Sequence, residues 1–419
     1  MRSTSLYKVS AVVVVGALAL AGCGSRGGGT TSGSSGTTGG TSGGTVVEIG
    51  VDAPLTGSLA ALGLGIRNSA DLAVNTANKT GEVPGVTFKL VPKDDQANPT
   101  VGQQNATALV ADSAVVGVVG PLNSSVGQSM QKVFDDANVT EVSPANTNPS
   151  LTQGANWQTA KARPYKSYFR TATTDAIQGP FAADYVYNDL KLTKVATVND
   201  GKTYGAGLVQ TFATEFKKLG GTVVLAQTTS DTTTDFSAVV SAVKSSGAQL
   251  LYYGGEYPAA APLSKQLKAG GVSIPDMGGD GVYDPTYIKL AGTAANGDFC
   301  TSVGAPVDSL ASAKTFITNY KAGGYSDAYS AYGGYSYDST WALIEAVKAV
   351  VSANGGKVPS ASSDFRQKVE AAEQNVSFDG VTGHVSFDQY GDTTNKQLTM
   401  YKVENGAWDN GIKVGTFNG

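Results

Sequence analysis

The chain has 419 residues, 41% of them hydrophobic and only 15% charged, with 53 glycines and a net charge of −4. That length suits two domains of roughly 150–200 residues, and 30 basic against 34 acidic residues leave no basic footprint for nucleic acid. One histidine, His384, and two cysteines, Cys23 and Cys300, exclude a His-containing metal cluster, a zinc ribbon and a disulfide framework, and leave a Ser-His-Asp triad only if His384 serves alone. Nothing in this inventory calls for a cofactor.

Residues 1–22 read as a secretion signal. Arg2 and Lys8 precede the apolar run Val9–Leu20, which is short of the about 20 apolar residues a spanning helix needs. It ends in Leu20-Ala21-Gly22-Cys23, which resembles the lipobox of bacterial lipoproteins. The resemblance implies diacylglycerol on the Cys23 sulfur, cleavage before it, and anchoring of residue 23 at the outer face of the cytoplasmic membrane. Gly24–Thr45 is Gly, Ser and Thr apart from Arg26 and has nothing to bury, so residues 23–45 read as a lipidated cysteine and a disordered tether reaching roughly 25 Å. Cys300 then has no partner and is expected as a buried thiol.

From Val46 the pattern alternates between strand and helix. Val46–Val51 reads as a strand, Asp52–Gly65 as a Gly-rich loop, and Ile66, Ala70, Ala73, Val74 and Ala77 as one helix face stopped at Gly81. Val86, Phe88 and Leu90 alternate as a strand. Asn98-Pro99 predicts a helix start, Ala114–Val119 a buried strand, and Ser124 with Ser125 the cap of a helix carrying Val126, Met130, Val133 and Phe134. After Pro180 the alternation restarts: helices at 181–190, 204–219, 236–245 and 262–269, and strands at 194–198, 222–226, 249–253 and 274–277. The last third is predicted helical over 308–321, 327–352 and 363–373. Residues 383–387 and 397–403 then alternate like antiparallel strands that complete an existing sheet. Strand–helix repeats of this kind call for parallel sheets covered on both faces, with ligand loops at the carboxyl ends of the strands.

Several strings in this order resemble one family. They are Pro54-Leu55-Thr56-Gly57, Ser143-Pro144-Ala145-Asn146-Thr147-Asn148-Pro149, Tyr204-Gly205, Tyr252-Tyr253-Gly254-Gly255, Met277-Gly278-Gly279-Asp280-Gly281 and Phe378-Asp379-Gly380-Val381-Thr382-Gly383. Together they are similar to the type I periplasmic binding proteins of the Leu/Ile/Val-binding group, the substrate receptors of branched-chain amino-acid ABC importers. The resemblance implies an α/β fold of two Rossmann-like, doubly wound lobes joined by a three-segment hinge. The lobes would comprise 46–172 with 305–388 and 173–304 with 389–419, and Gly154–Tyr168 would be a small insertion.

Carried over by position, the resemblance places Ser124 and the amides of its helix start on a ligand carboxylate, with Thr147 offering a second hydroxyl. It places the Ala145 carbonyl and Asp280 on the ligand ammonium, Tyr204 as the residue closing the pocket, and Leu62 and Tyr332 beside the ligand side chain. Each has a plainer reading: cap for Ser124, loop acid for Asp280, turn residue for Thr147, packing for Tyr204, Leu62 and Tyr332. Glu256 stands where the family often has tyrosine, with Tyr257 next, so either one faces the cleft. A second carboxylate there suits a cationic or hydroxyl-bearing ligand better than leucine. Ala97 and Asn123 occupy the family's disulfide positions.

The resemblance therefore implies a monomeric, non-enzymatic envelope protein that binds a small amino acid and delivers it to an ABC permease. A ligand-sensing receptor, or an amide- or urea-binding protein of the same fold, is the alternative. Catalysis by Asp94 and Asp95 is disfavoured, since adjacent residues at a strand end point to opposite faces.

Overall fold

The computed structural model describes residues 44–417; the expected signal, Cys23 and all of the tether before Gly44 lie outside them. The first half alternates as β1 (Thr45–Ala53), α1 (Ala60–Thr80), β2 (Val86–Asp94), α2 (Pro99–Ala111), β3 (Val115–Val119), α3 (Ser124–Asp136), β4 (Thr140–Ser143), α4 (Ser150–Gln153) and β5 (Tyr168–Arg170). The chain continues with α5 (Asp175–Asp184), β6 (Lys194–Asn199), α6 (Thr203–Lys218), β7 (Thr222–Thr228), α7 (Ser237–Ser246), β8 (Leu250–Gly254), α8 (Tyr257–Ala269), β9 (Asp276–Gly278), α9 (Pro285–Ala291) and β10 (Phe299–Val303). It closes with α10 (Lys314–Ala322), α11 (Gly333–Ala353), α12 (Ser362–Glu373), the hairpin β11 (Ser377–Gly380) and β12 (Gly383–Ser386), then β13 (Leu398–Glu404), β14 (Ala407–Trp408) and β15 (Lys413–Gly415).

The first sheet is parallel with strand order β2-β1-β3-β4-β5. The second repeats that order as β7-β6-β8-β9-β10, again parallel, before β13 joins β10 antiparallel and β14 and β15 pair with β13. Both are doubly wound, and in each the winding reverses between the first and third strand, where ligand crevices form outside the carboxyl ends. β3 and β8 are buried along their whole length, as strands covered on both faces must be. On one side of the first sheet, Leu109, Val126, Met130 and Phe134 of α2 and α3 form a cluster; on the other, Ile66 and Val74 of α1 meet Leu343 and Val347 of α11. The chain passes between the sheets after β5, again after β10 to lay α11 and α12 on the first sheet, and once more to bring β13 to the second.

Two of these passages are locked together by a buried ion pair. Arg170, wholly buried at the end of β5, donates from Nε to Asp392 Oδ1 at 2.6 Å and from Nη1 to the carbonyls of Asn146 and Asn148 at 3.0 and 2.9 Å. Gln153 Nε2 donates to the other Asp392 oxygen at 2.6 Å. Burial alone would raise the Asp392 pKa, but the adjacent guanidinium together with the hydrogen bonds from Gln153, Arg170 and Thr152 outweighs it and holds the carboxyl below its usual range.

Several sequence expectations shift. α1 begins at Ala60, so Leu62 sits on the helix and not in the loop; Gly81 ends it in the left-handed conformation as expected. Asn98 caps α2 as predicted, accepting from the N–H groups of Thr100 and Val101. The cap position of α3 is Asn123, and Ser124 is the first helical residue; the Asn123 side chain makes no capping bond and instead turns its Nδ2 to Glu256. α5 starts at Asp175 and runs through Pro180, losing only the one bond a proline cannot donate. α8 starts at Tyr257, with Pro258 in its first turn where no N–H is needed. The strand expected at 274–277 is Asp276–Gly278. The helices expected at 308–321 and 327–352 shorten to α10 and α11, since 307–313 forms 3-10 turns and Tyr332 only precedes α11. Of the two tail strands, β13 does complete a sheet, whereas residues 383–386 pair only with Ser377–Gly380 as a separate hairpin. Cys300 is a buried free thiol in β10.

Candidate functional site

The carboxyl ends of both sheets converge. Leu62 follows β1, Leu122, Asn123 and Ser124 follow β3, and Ala145 follows β4. Tyr204 follows β6, Glu256 follows β8, and Asp280 and Gly281 follow β9. With Tyr332, at the start of α11, these residues line one small cavity. Close packing of the second sheet's loops depends on glycine. A side-chain carbon on Gly205 would lie 2.4 Å from the Gly254 carbonyl oxygen, and one on Gly279 would lie 2.5 Å from the Tyr204 hydroxyl. Neither approach leaves room for any other residue, which is the local reason for the Tyr-Gly and Gly-Gly-Asp-Gly strings.

Asp280 is 1% exposed and fully engaged. Its Oδ1 accepts from Tyr204 Oη at 2.8 Å and Gln178 Nε2 at 2.9 Å, and its Oδ2 accepts from Tyr332 Oη at 2.9 Å. Burial still raises its pKa, the three donors working against that rise. Gln178 also donates to Asp175 Oδ1 at 3.0 Å and accepts from Thr301. Asp175 is pushed up to about 8, first by burial and then by the Asp280 charge, so near neutral pH this buried acid carries a proton. At the other end Asn123 Nδ2 donates to Glu256 Oε1 at 2.7 Å. Behind Glu256, Asp200 is pushed up to about 7 by burial and by the Glu256 charge.

Opposite these acids lies the start of α3. Its first amides, on Ser124 and Ser125, have no intrahelical acceptor, and a helix start carries partial positive charge that attracts a carboxylate. The cavity thus offers a carboxylate to a cation and a helix start to an anion. The two sides already touch: besides the Asn123–Glu256 and Tyr332–Asp280 bonds, Tyr257 Oη donates to the Ser58 carbonyl at 2.5 Å, Asn148 Nδ2 to the Thr203 carbonyl at 2.7 Å, and Thr203 Oγ1 to Gln128 Oε1 at 3.0 Å. The remaining space is about 10 Å³, roughly the room of one water. The structure is therefore closed, and a ligand enters only when these bonds part.

This architecture matches known proteins. The family model for periplasmic binding protein covers residues 46–407. The chain belongs to the periplasmic binding protein family. Within that family it falls in the type I, branched-chain amino-acid group. It is 30% identical over 361 residues to a Leu/Ile/Val-binding protein homolog from Brucella abortus, covering 86% of this chain and 91% of that one. Its fold is similar to the leucine-binding protein LivK of Thermotoga maritima (TM-score 0.76, 26% identity, 88% of this chain and 98% of that one). It is equally similar to LivJ of Streptococcus pneumoniae, solved with isoleucine (TM-score 0.76, 26% identity, 89% and 99%).

Of the residues expected at the site of this periplasmic binding protein, Leu62, Ser124, Ala145, Tyr204, Glu256, Asp280 and Tyr332 line the cavity. Thr147 and Tyr257 do not. Thr147 is buried with its carbonyl accepting from the Asp175 N–H at 2.8 Å, and Tyr257, first in α8, reaches Ser58 instead. Asn123, read in the sequence only as an unfilled disulfide position, lines the cavity. Gly281 entered the sequence reading only as the end of the Met277–Gly281 string, and Leu122 with the supporting pair Asp175 and Gln178 had no sequence signal, since their partners lie far away in the chain. Asp94 and Asp95 serve the loops: Asp94 accepts from the N–H groups of Leu55, Thr56 and Gln96, and Asp95 from that of Ala97. A roomier cavity of about 620 Å³ between Tyr283, Ile288, Tyr329, Tyr401 and Trp408 gathers no buried carboxylate, so the small strand-end cavity is the candidate.

Proposed function

We propose that the protein is the substrate-binding component of an ABC importer, holding a small α-amino acid between two closing lobes at the outer face of the cytoplasmic membrane and delivering it to a permease in that membrane. The observation that carries this is the pairing, within one cavity at the strand ends, of the Asp280 carboxylate with the free amides that open α3 beside Ser124. A zwitterion buried away from water needs both ends matched, and Asp280 serves the ammonium while Ser124 and the helix start serve the carboxylate. The relatives named for Leu/Ile/Val binding and the LivJ complex with isoleucine support the same reading. The lobes are 46–172 with 305–388 and 173–304 with 389–419, moving about the three passages between the sheets. The chain works as a monomer tethered through a lipidated Cys23, and it changes no bonds in its ligand.

The test is thermal denaturation against a panel of amino acids and their amides. A ligand at about 100 times its dissociation constant adds about 2.7 kcal/mol to stability. Stabilisation by an α-amino acid and none by its carboxamide is expected; a carboxamide or urea that stabilises better overturns the amino-acid reading.

A further inference from the structure

The Glu256 end of the cavity holds hydrogen-bond acceptors in excess. Glu256 is 8% exposed and lines the cavity, and the one hydrogen bond to its side chain among the described residues is from Asn123 Nδ2. Asn123 is 3% exposed, and its Oδ1 is buried with no partner. Asp200 Oδ1 accepts from the Lys202 N–H at 2.9 Å, but Oδ2 is buried and unpartnered. The nearest cation, the Lys202 ammonium, bonds Asp231 at 2.6 Å and is shared among the charges of Asp231, Glu256 and Asp200. Three acceptor groups thus share two N–H donors, the Asn123 amide and the Lys202 backbone N–H, besides the proton that Asp200 holds below about pH 7, although buried acceptors are ordinarily matched by donors.

Charge counting sharpens the point. The ammonium and carboxylate of an α-amino acid cancel each other and are met by Asp280 and the α3 start. Glu256 is then left with only a share of the Lys202 charge and no cation bonded to it among the described residues, and a carboxylate closed away from water needs a partner. A leucine side chain would set methyl groups against it. Leu62 and Leu122 line the same cavity and suit the methylenes of a side chain that ends in charge. Both acids line the same small cavity, and the backbone beside Asp280 lies against Glu256: a side-chain carbon on Gly281 would sit 3.3 Å from Glu256 Cγ and 3.1 Å from Tyr204 Cε1. A short chain therefore bridges them.

Resting on the amino-acid reading above, we propose that the ligand is a short basic α-amino acid whose side-chain cation sits among Glu256, Asp200 and Asn123. In the closed structure the Asn123 amide fills the place of that cation. Binding breaks the Asn123–Glu256 bond and gives both side chains a donor of full charge.

Calorimetry on the full chain carrying Cys23→Ala, which leaves it without lipid, with 2,4-diaminobutyrate, ornithine, leucine and isoleucine tests this. The basic amino acids should bind at least about tenfold more tightly than leucine, as the loss of one charge-assisted hydrogen bond implies. Glu256→Gln should abolish that preference by weakening ornithine and 2,4-diaminobutyrate at least about tenfold. Leucine binding as tightly as ornithine to the parent protein overturns the basic class and leaves the amino-acid reading standing. A preference that survives Glu256→Gln also overturns it. Silence from all four amino acids, with folding verified by circular dichroism, overturns both.

Discussion

Asn123 and Glu256 lie 133 positions apart in sequence and meet across the cleft, the amide of one donating to the carboxylate of the other at 2.7 Å. Each belongs to a loop at the switch point of a different sheet, so the bond exists only when the two sheets' strand ends are together. A hydrogen bond to a charged group contributes about 1.5–3 kcal/mol. Asn123→Ala should therefore move the ligand-free balance towards the open form by about ten- to a hundredfold. Small-angle scattering should show a larger radius of gyration for the variant than for the parent. Identical curves would mean that other contacts hold the cleft shut.

Asp280 should dominate affinity. It is the acid that three donors aim into the cavity, and its removal leaves a buried ammonium unmatched. Asp280→Asn should weaken binding at least about tenfold by calorimetry. Ser124→Ala should cost less, because the helix amides still serve the carboxylate. The reverse ranking would displace Asp280 from the ammonium.

Stability should fall as pH rises through neutrality. Asp175 titrates at about 8, Asp200 at about 7, and Asp95 and Asp338 at about 6, each raised chiefly by burial. In the unfolded chain these groups lose their protons near pH 4. The folded protein binds more protons between those limits, so the unfolding free energy declines with pH there. Asp392, held low by Arg170, titrates below this window and does not reverse the sign. The melting temperature should be several degrees lower at pH 8 than at pH 5, and Asp175→Asn should flatten the slope. A melting temperature that rises between pH 5 and 8 contradicts the assignment.

The Arg170–Asp392 pair should be costly to break singly. Arg170→Met leaves a buried carboxylate without its partner, a loss of roughly 3–5 kcal/mol. Urea titration of Arg170→Met beside the double variant Arg170→Met with Asp392→Leu should show the double variant recovering most of the loss. Equal losses would assign the effect to packing instead of charge.

Residue 23 should carry lipid. Mass spectrometry of membrane fractions should find a lipidated N-terminal peptide beginning at Cys23, and Cys23→Ala should release the protein into the soluble fraction. An intact Met1 peptide counts against it.

The alternation of elements was legible along most of the chain. A parallel sheet covered on both faces needs short apolar runs such as Val115–Val119 and Leu250–Gly254, and the helices between them must carry one apolar stripe. Strand ends were legible for the same reason, and with them most of the cavity, since loops such as Gly279-Asp280-Gly281 are tight for steric reasons that act locally. The hairpin at Ser377–Ser386 was not, because period-two alternation marks a strand without naming its neighbour.

The choice between Glu256 and Tyr257 was settled by tertiary structure. α8 begins at Tyr257, which leaves Glu256 in extended backbone facing the cavity and turns the tyrosine towards Ser58. Asn123, Gln178 and Asp175 belong to the same class: ordinary polar residues in the sequence, given a role only by partners brought from the other sheet or from another strand end. What the sequence determined by itself are the local matters, periodicity, glycine at close approaches and a helix start left open for an anion. What only the tertiary structure decided is which buried polar groups face one another, because hydrogen bonding and charge pairing act over a few ångströms of space, whatever number of residues lies between the partners.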